Sequence, residues 1–487
     1  MRILFIAVLF VAFRVVGQPG TSTLNYQLEK AGNTIHVELQ FTPVEKDSSK
    51  FTYGQPAFGG QLDILKGLQH LNVKAPARFK LDSLSRTITF YYSSEYSLEV
   101  TYDIVDTRKE ANTRSQLFRP IIMDDYLFIH GVNLFLTPAF RSADIKPRVS
   151  VQWKKFPDFP LFYTFDPDQD GKHSVTTTSD SIAMRFITGA RDLTIKKFSN
   201  ESGTNYLVLR STGMPAATVQ QLESFYVNYN SFMRSFYKDK RKIKYSLVLQ
   251  PYLGVNHKIS GVSFGNGFIG KYNKPDSLAI GERKYVIAHE IGHYYLSDLK
   301  AAEGKNNEGQ WFDEGFNDYT TYCNLVRSGE MMAEEFETRF NKVLQQLYSS
   351  KIKNTPNEKI FENFWKLGDY QRLPYWRGSV FAFYLDNQIS LATSGRYSIR
   401  NLLLDLQVVV KERMEKIFTN EEFIQASSKY VRREIVAKAF QQYIIEGSSI
   451  AFDSSLLMNC FTVNTKRAYP ILTIVNKKKF MTHYQFK

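Results

Sequence analysis

Only two cysteines, Cys323 and Cys460, occur in 487 residues. That is too few for a disulfide-built scaffold, so the cores must come from apolar burial. No apolar run beyond the first 17 residues is long enough to cross a bilayer as a helix. Internal repeats and low-complexity linkers are absent, which excludes solenoids and long disordered arms. Basic residues outnumber acidic ones, 62 to 48, for a net charge of +14. Only Lys477, Lys478 and Lys479 cluster tightly, however. Scattered cations describe a solvated surface and form no nucleic-acid-binding stripe.

What is present reads as a globular chain. The hydrophobic fraction is 43% and the charged fraction 23%, and the length suffices for two or three cores. Aromatics reach 15%, which favours a large β component because Tyr and Phe suit half-buried strand faces. Cys323 is expected to pack as a small apolar residue, and whether it pairs with Cys460 is open. At the N-terminus, Arg2 precedes an apolar run from Ile3 to Phe13, with Val15 and Gly17 spaced like a cleavage site. Residues 1–17 therefore read as a secretory signal, leaving a secreted or periplasmic chain with no integral membrane segment after its removal. An uncleaved anchor is the alternative, because Arg14 interrupts the approach to the cleavage site.

From Thr21 to about Leu209, segments such as TIHVELQF, RTITFYY, YSLEVTYDI and RVSVQWKKF place apolar residues at every second position. They predict an antiparallel, sandwich-like β domain over 18–209, with Pro157 and Pro160 marking a loop or edge. Helical spacing begins near Ala216, and after one strand-like stretch, KYSLVLQPYLGV, and a Gly-punctuated one, the chain is mostly helical from Ile280 to about Ile445. The spacing from Thr419 to Glu422 predicts a capping box. The expected class is α+β and multidomain, with a mainly helical domain over 210–460 and a C-terminal strand and basic tail over 461–487.

The chemistry concentrates in RKYVIAHEIGHYYLSDL, a run with no proline and an apolar surround that predicts a buried helix. Four-residue spacing puts His289 and His293 on one helix face, where both imidazoles can meet one tetrahedral cation. Glu290 then stands beside a site for activated water. Twenty-one residues past His293, WFDEGFNDYTTY supplies Glu314 early in a second helical pattern. Two His and one Glu form the ligand set of a catalytic Zn2+, because the fourth position stays open. Asp318, four residues on, is placed to orient a ligand imidazole, that of His289. Hydrolysis also needs a donor for the developing oxyanion. GDYQRLPYWRG offers Tyr370 and Tyr375 just ahead of a new helix, and position alone selects neither.

HEIGH followed by WFDEGF resembles the gluzincin peptidases, and within them most closely the glycyl aminopeptidases, with the leucyl-type aminopeptidases beside them. FIHGVNLFLTP, PYWRG, LDNQISLATSGRYSIRNLLLDL and YIIEG extend the likeness along the chain. The resemblance implies a thermolysin-like catalytic domain, one zinc ion on His289, His293 and Glu314, Glu290 as the base and Tyr375 as the oxyanion donor. The implied partner is a peptide or protein substrate, with no nucleic acid; the motifs specify no oligomeric state. Such peptidases carry a glutamate for the substrate amine in a glycine-rich edge strand. The corresponding stretch here, Ser260 to Gly270, has no acidic residue. Gly261, Gly265 and Asn266 are its expected substrate-contacting positions, through backbone pairing with an extended peptide; a plain hairpin is the alternative. Two other functions remain open at this point: a non-catalytic zinc-containing binding protein, and a non-peptide hydrolase on the same fold.

Overall fold

The computed structural model describes residues 22–484, apart from 44, 55–60, 94–96, 109–117, 140–146, 156, 166–173, 179–181, 201–202, 211–213, 252–258, 264–266, 273–279, 297–298, 303–307 and 365–366. The candidate signal at 1–17 lies outside the described residues. Two compact units divide the chain between Leu193 and Thr194.

The first unit is built on β-sheets. Its largest has six strands in the order Ser174–Thr177, Arg148–Lys155, Thr23–Ala31, Thr34–Thr42, Leu98–Val105 and Leu68–Val73. Alternation does the work: in Thr34–Thr42 the residues Ile35, Val37, Leu39 and Phe41 are buried while the residues between them face outward. A four-stranded sheet adds Phe51, Ile88 and Phe90 to the same core, and Phe41 meets Phe51 edge-on at 4.9 Å. One pairing departs from the antiparallel expectation, since Thr23–Ala31 runs parallel to Arg148–Lys155. Period-two patterning reports burial and cannot report strand direction.

The second unit opens with a five-stranded sheet in the order Leu193–Asn200, Gly203–Arg210, Ile243–Pro251, Gly267–Tyr272 and Ile259–Ser263. The strands ending near Arg210 thus pair with the second unit's sheet, so the division falls earlier than residue 209. Gly203–Arg210 and Ile243–Pro251 are parallel, and the helix Ala216–Tyr237 connects them, as parallel pairing requires. The remaining helices follow from Ile280 onward. Thr419 and Glu422 form the expected capping box, each side chain meeting the other's backbone N–H.

At the C-terminus the expected strand is present as Ile471–Ile474, and the structure corrects the basic tail. Phe461–Asn464 and Ile471–Ile474 form a hairpin, and Lys477–Tyr484 is a helix started by Asn476 Oδ1, which accepts from the Lys479 N–H at 2.9 Å. The three lysines face solvent while Phe480 and Tyr484, four apart, are buried in the second unit's core. A charge cluster masked a two-residue apolar stripe.

Candidate metal centre

The motif helix, Ile280–Leu296, buries Ile287, Ala288, Ile291, Tyr295 and Leu296. That fixes its rotation and turns His289, Glu290 and His293 to one side. Tyr245, on the strand Ile243–Pro251, donates to the Glu290 carbonyl at 3.3 Å and ties helix to sheet. The rings of His289 and His293 lie 4.6 Å apart, nearly perpendicular. Donor atoms of His289, Glu290 and His293 all fall within 4.8 Å of one another.

Glu314 arrives on a π-helical turn, Trp311–Phe316, which runs into the helix Asn317–Arg327. Such wide turns are frequent at functional positions. Trp311, Phe312 and Phe316 anchor it, with the Trp311 ring meeting those of Phe381, Phe423 and Phe440 at 5.2–6.3 Å. Two close approaches set its position. A Cβ on Gly292 would fall 2.0 Å from Asn317 Oδ1, and one on Gly378 would fall 1.9 Å from the Trp311 carbonyl oxygen. At Gly378 the clash would be with backbone, so only glycine lets the helix Gly368–Ala392 come this near the turn, whereas at Gly292 it would be with the Asn317 side chain. Asn317 Nδ2 also donates to the His289 carbonyl at 2.8 Å.

As a result Glu314 Oε2 lies 3.4 Å from His289 Nε2 and 3.3 Å from His293 Nε2. This oxygen is buried and takes part in no conventional hydrogen bond. Two imidazole nitrogens around one such carboxylate oxygen are a donor set that a divalent zinc would satisfy. Both Glu290 and Glu314 are near enough to complete it. Glu314 is the better third ligand because its oxygen faces both Nε2 atoms, and Glu290 is then left beside them.

Asp318 sits where its spacing placed it, with Oδ1 2.8 Å from His289 Nδ1. Tyr285, one turn before His289, donates to the same Asp318 oxygen. Sequence reasoning missed Tyr285, although its i,i+4 relation to His289 was the available signal. Burial opposes charge on His289, yet contact with Asp318 and Glu314 raises its pKa well above the ordinary value. Burial likewise works against the Glu314 carboxylate, but the two imidazoles hold its pKa well below normal. Glu290 goes the other way: burial lifts its pKa, only partly offset by His293 and His289. One carboxylate is held as an anion and the other is pushed toward accepting a proton.

Tyr375 lies in the second turn of Gly368–Ala392, with Pro374 inside the helix. The expectation that it precedes a new helix is corrected. Pro374 signalled a boundary locally, but the packing of Leu373, Gly378 and Phe381 outweighs its one missing N–H. The Tyr375 ring lies 6.2 Å from that of His289, 18° from parallel. Burial first, then Glu314 and Asp318, keep its hydroxyl protonated. Arg377, next in PYWRG but one, is buried and donates to the carbonyls of Lys353 and Thr355 at 2.9 and 2.6 Å, which anchors this helix beneath Tyr375.

Of the glycine-rich stretch, Gly265 and Asn266 lie outside the described residues. Gly261 is on the edge strand Ile259–Ser263, paired with Gly267–Tyr272. A Cβ there would fall 2.0 Å from the Phe268 ring, so packing accounts for this glycine. The glycyl resemblance selected it on pattern alone.

No family profile and no curated protein matches the chain. Among solved structures, it is similar to an aminopeptidase N family protein from Idiomarina loihiensis, with TM-score 0.74 and 13% identity over 91% of this chain and 79% of that one. It is also similar to the M1 zinc metallopeptidase of Deinococcus radiodurans, with TM-score 0.52 and 11% identity over 89% and 96% of the two chains. The chain has the M1 metallopeptidase fold. That fold is the one expected from the resemblance of HEIGH and WFDEGF.

Proposed function

We propose that the protein is a zinc-dependent, aminopeptidase-like metallopeptidase, with His289, His293 and Glu314 as metal ligands. One observation carries the reading: both Nε2 atoms face the buried, otherwise unbonded Oε2 of Glu314, with a second carboxylate, Glu290, alongside. Bound there, zinc supplies Lewis acidity toward a carbonyl and toward water. Asp318 holds His289 through Nδ1, which leaves the Nε2 lone pair for the metal. Glu290, its pKa raised by burial, takes a proton from the attacking water on a carboxylate oxygen and returns it to the leaving amine. Tyr375, kept protonated, donates its hydroxyl to the oxyanion that develops at the scissile carbonyl. Backbone pairing along Ile259–Ser263 would align an extended substrate, and Gly265 and Asn266 are proposed substrate contacts from the sequence alone. The fold likeness supports this assignment, as does a mutant of the Deinococcus enzyme bound to a Tyr-Ser-Ala substrate, with TM-score 0.52. The apolar run in residues 1–17 supports export as part of the same reading.

A structural zinc in a binding protein is disfavoured because such sites are closed by four protein ligands, often cysteines, and the donor group here contains no cysteine. The test is digestion of free and N-acetylated peptide libraries, with and without a chelator. Chelator-sensitive cleavage that acetylation abolishes supports an aminopeptidase. Cleavage of both libraries makes the enzyme an endopeptidase, and no cleavage of either, with zinc bound, overturns the proposal.

A further inference from the structure

Against Tyr375 opens a cleft of about 630 Å³, a size suited to a few residues of peptide or a small ligand. Tyr285 and Asp318 line it on the motif-helix side, so it adjoins the proposed centre without containing the donor atoms. Its acidic groups are largely spoken for. Arg339 meets Glu335 at 2.9 Å and Glu282 at 3.0 Å while lying over the Tyr285 ring, and Asp318 is taken by His289 and Tyr285.

Two lining cations are left over. Lys342, from the helix Ala333–Ser349, and Arg372, from Gly368–Ala392, are exposed to the cleft, and neither meets a carboxylate among the described residues. Arg372 lies over the Tyr375 ring, its guanidinium carbon 5.7 Å from the ring centre. A substrate carbonyl at the Tyr375 hydroxyl therefore has Arg372 one side chain away. The lining carboxylates Glu282, Glu335 and Asp318 already meet Arg339, His289 and Tyr285, so the donors left for a ligand are those of Arg372 and Lys342, which suit a carboxylate.

We infer that this cleft is a carboxylate-binding subsite that receives the part of the substrate on the C-terminal side of the scissile bond. Resting on the peptidase reading, it deepens that reading to short peptides with a free C-terminus or an acidic side chain just beyond the cut. Arg372 and Lys342 are its anion-binding residues.

The test compares tetrapeptides as free acids, as C-terminal amides, and as amides carrying Asp or Glu after the scissile bond. On the zinc-loaded protein, the free acid should be preferred about tenfold over the neutral amide, through KM, as expected for partly exposed charge-assisted hydrogen bonds. Arg372→Ala and Lys342→Ala should each shrink that ratio, and together bring it near one, with Tm unchanged. Recovery of rate by Asp-containing amides would identify the side chain as the natural source, and recovery by free acids alone the peptide terminus. Equal efficiency on acid, neutral amide and acidic amide in the unsubstituted protein overturns the inference while leaving peptidase activity intact. Calorimetric binding of the same acid and amide to zinc-loaded Glu290→Gln reads the cleft without turnover. Equal Kd values there overturn it even if no peptide is cleaved.

Discussion

The two units bury polar groups for different ends. In the β unit the buried tyrosine hydroxyls close the backbone: Tyr26 donates to the Leu136 carbonyl, Tyr102 to Leu134 at 3.0 Å and Tyr53 to Asn133 at 2.8 Å. Each satisfies a carbonyl of one irregular segment inside the core, which costs free energy if left unpaired. In the second unit some do the same, Tyr226 donating to the Tyr245 carbonyl at 2.9 Å and Tyr245 to that of Glu290 at 3.3 Å, while others meet ionisable groups. Tyr285 donates to Asp318, and Tyr319 to the fully buried Asp386 at 2.6 Å. Asp386 also takes the Ile399 N–H at 2.7 Å and faces His483 from the C-terminal helix. The first arrangement stabilises a fold, while the second positions charge.

Substitutions should separate these roles. The largest effect is expected for Glu290→Gln, with kcat/KM falling by about 10²-fold or more while zinc content and Tm stay unchanged; a near-normal rate would remove Glu290 as the base. Tyr375→Phe should lower kcat by roughly 10²-fold, in the range of a lost oxyanion donor, with little change in KM. A pure KM effect would make Tyr375 a binding group. Asp318→Ala should weaken zinc affinity or activity by about 10- to 100-fold, read by titration against a competing chelator; unchanged affinity and rate would reduce Asp318 to a structural acid. Smallest in catalysis, and confined to stability, is Tyr102→Phe in the β unit. It should cost about 1–3 kcal/mol by stranding the Leu134 carbonyl, measured by denaturant unfolding, with kcat per folded molecule unaltered. A catalytic defect there would break the contrast between the units.

Much of this organisation is legible along the chain because it depends on short-range periodicity. Alternation in Thr34–Thr42 marked a half-buried strand, and the pairs His289/His293 and Glu314/Asp318 each follow from one helical turn. The Gly-rich stretch was harder, since Gly261 reflects the Phe268 ring lying across it, a contact that pattern cannot show. The lysines at 477–479 misled for the opposite reason: their charge is conspicuous, and the stripe that folds the helix is two residues long.

By itself, then, the sequence determined which side chains share a face and which residue types a zinc hydrolase would need. Only the tertiary structure decided that these faces meet. Glu314 reaches the two imidazoles because its π-turn is held against the later helix at Gly378, where a Cβ would run into the Trp311 carbonyl. Tyr375 reaches His289, and Arg372 the cleft, because Pro374 is held inside a packed helix instead of ending one. Those are contacts between segments far apart in the chain, and steric fit and burial, with no local periodicity to announce them, set their geometry.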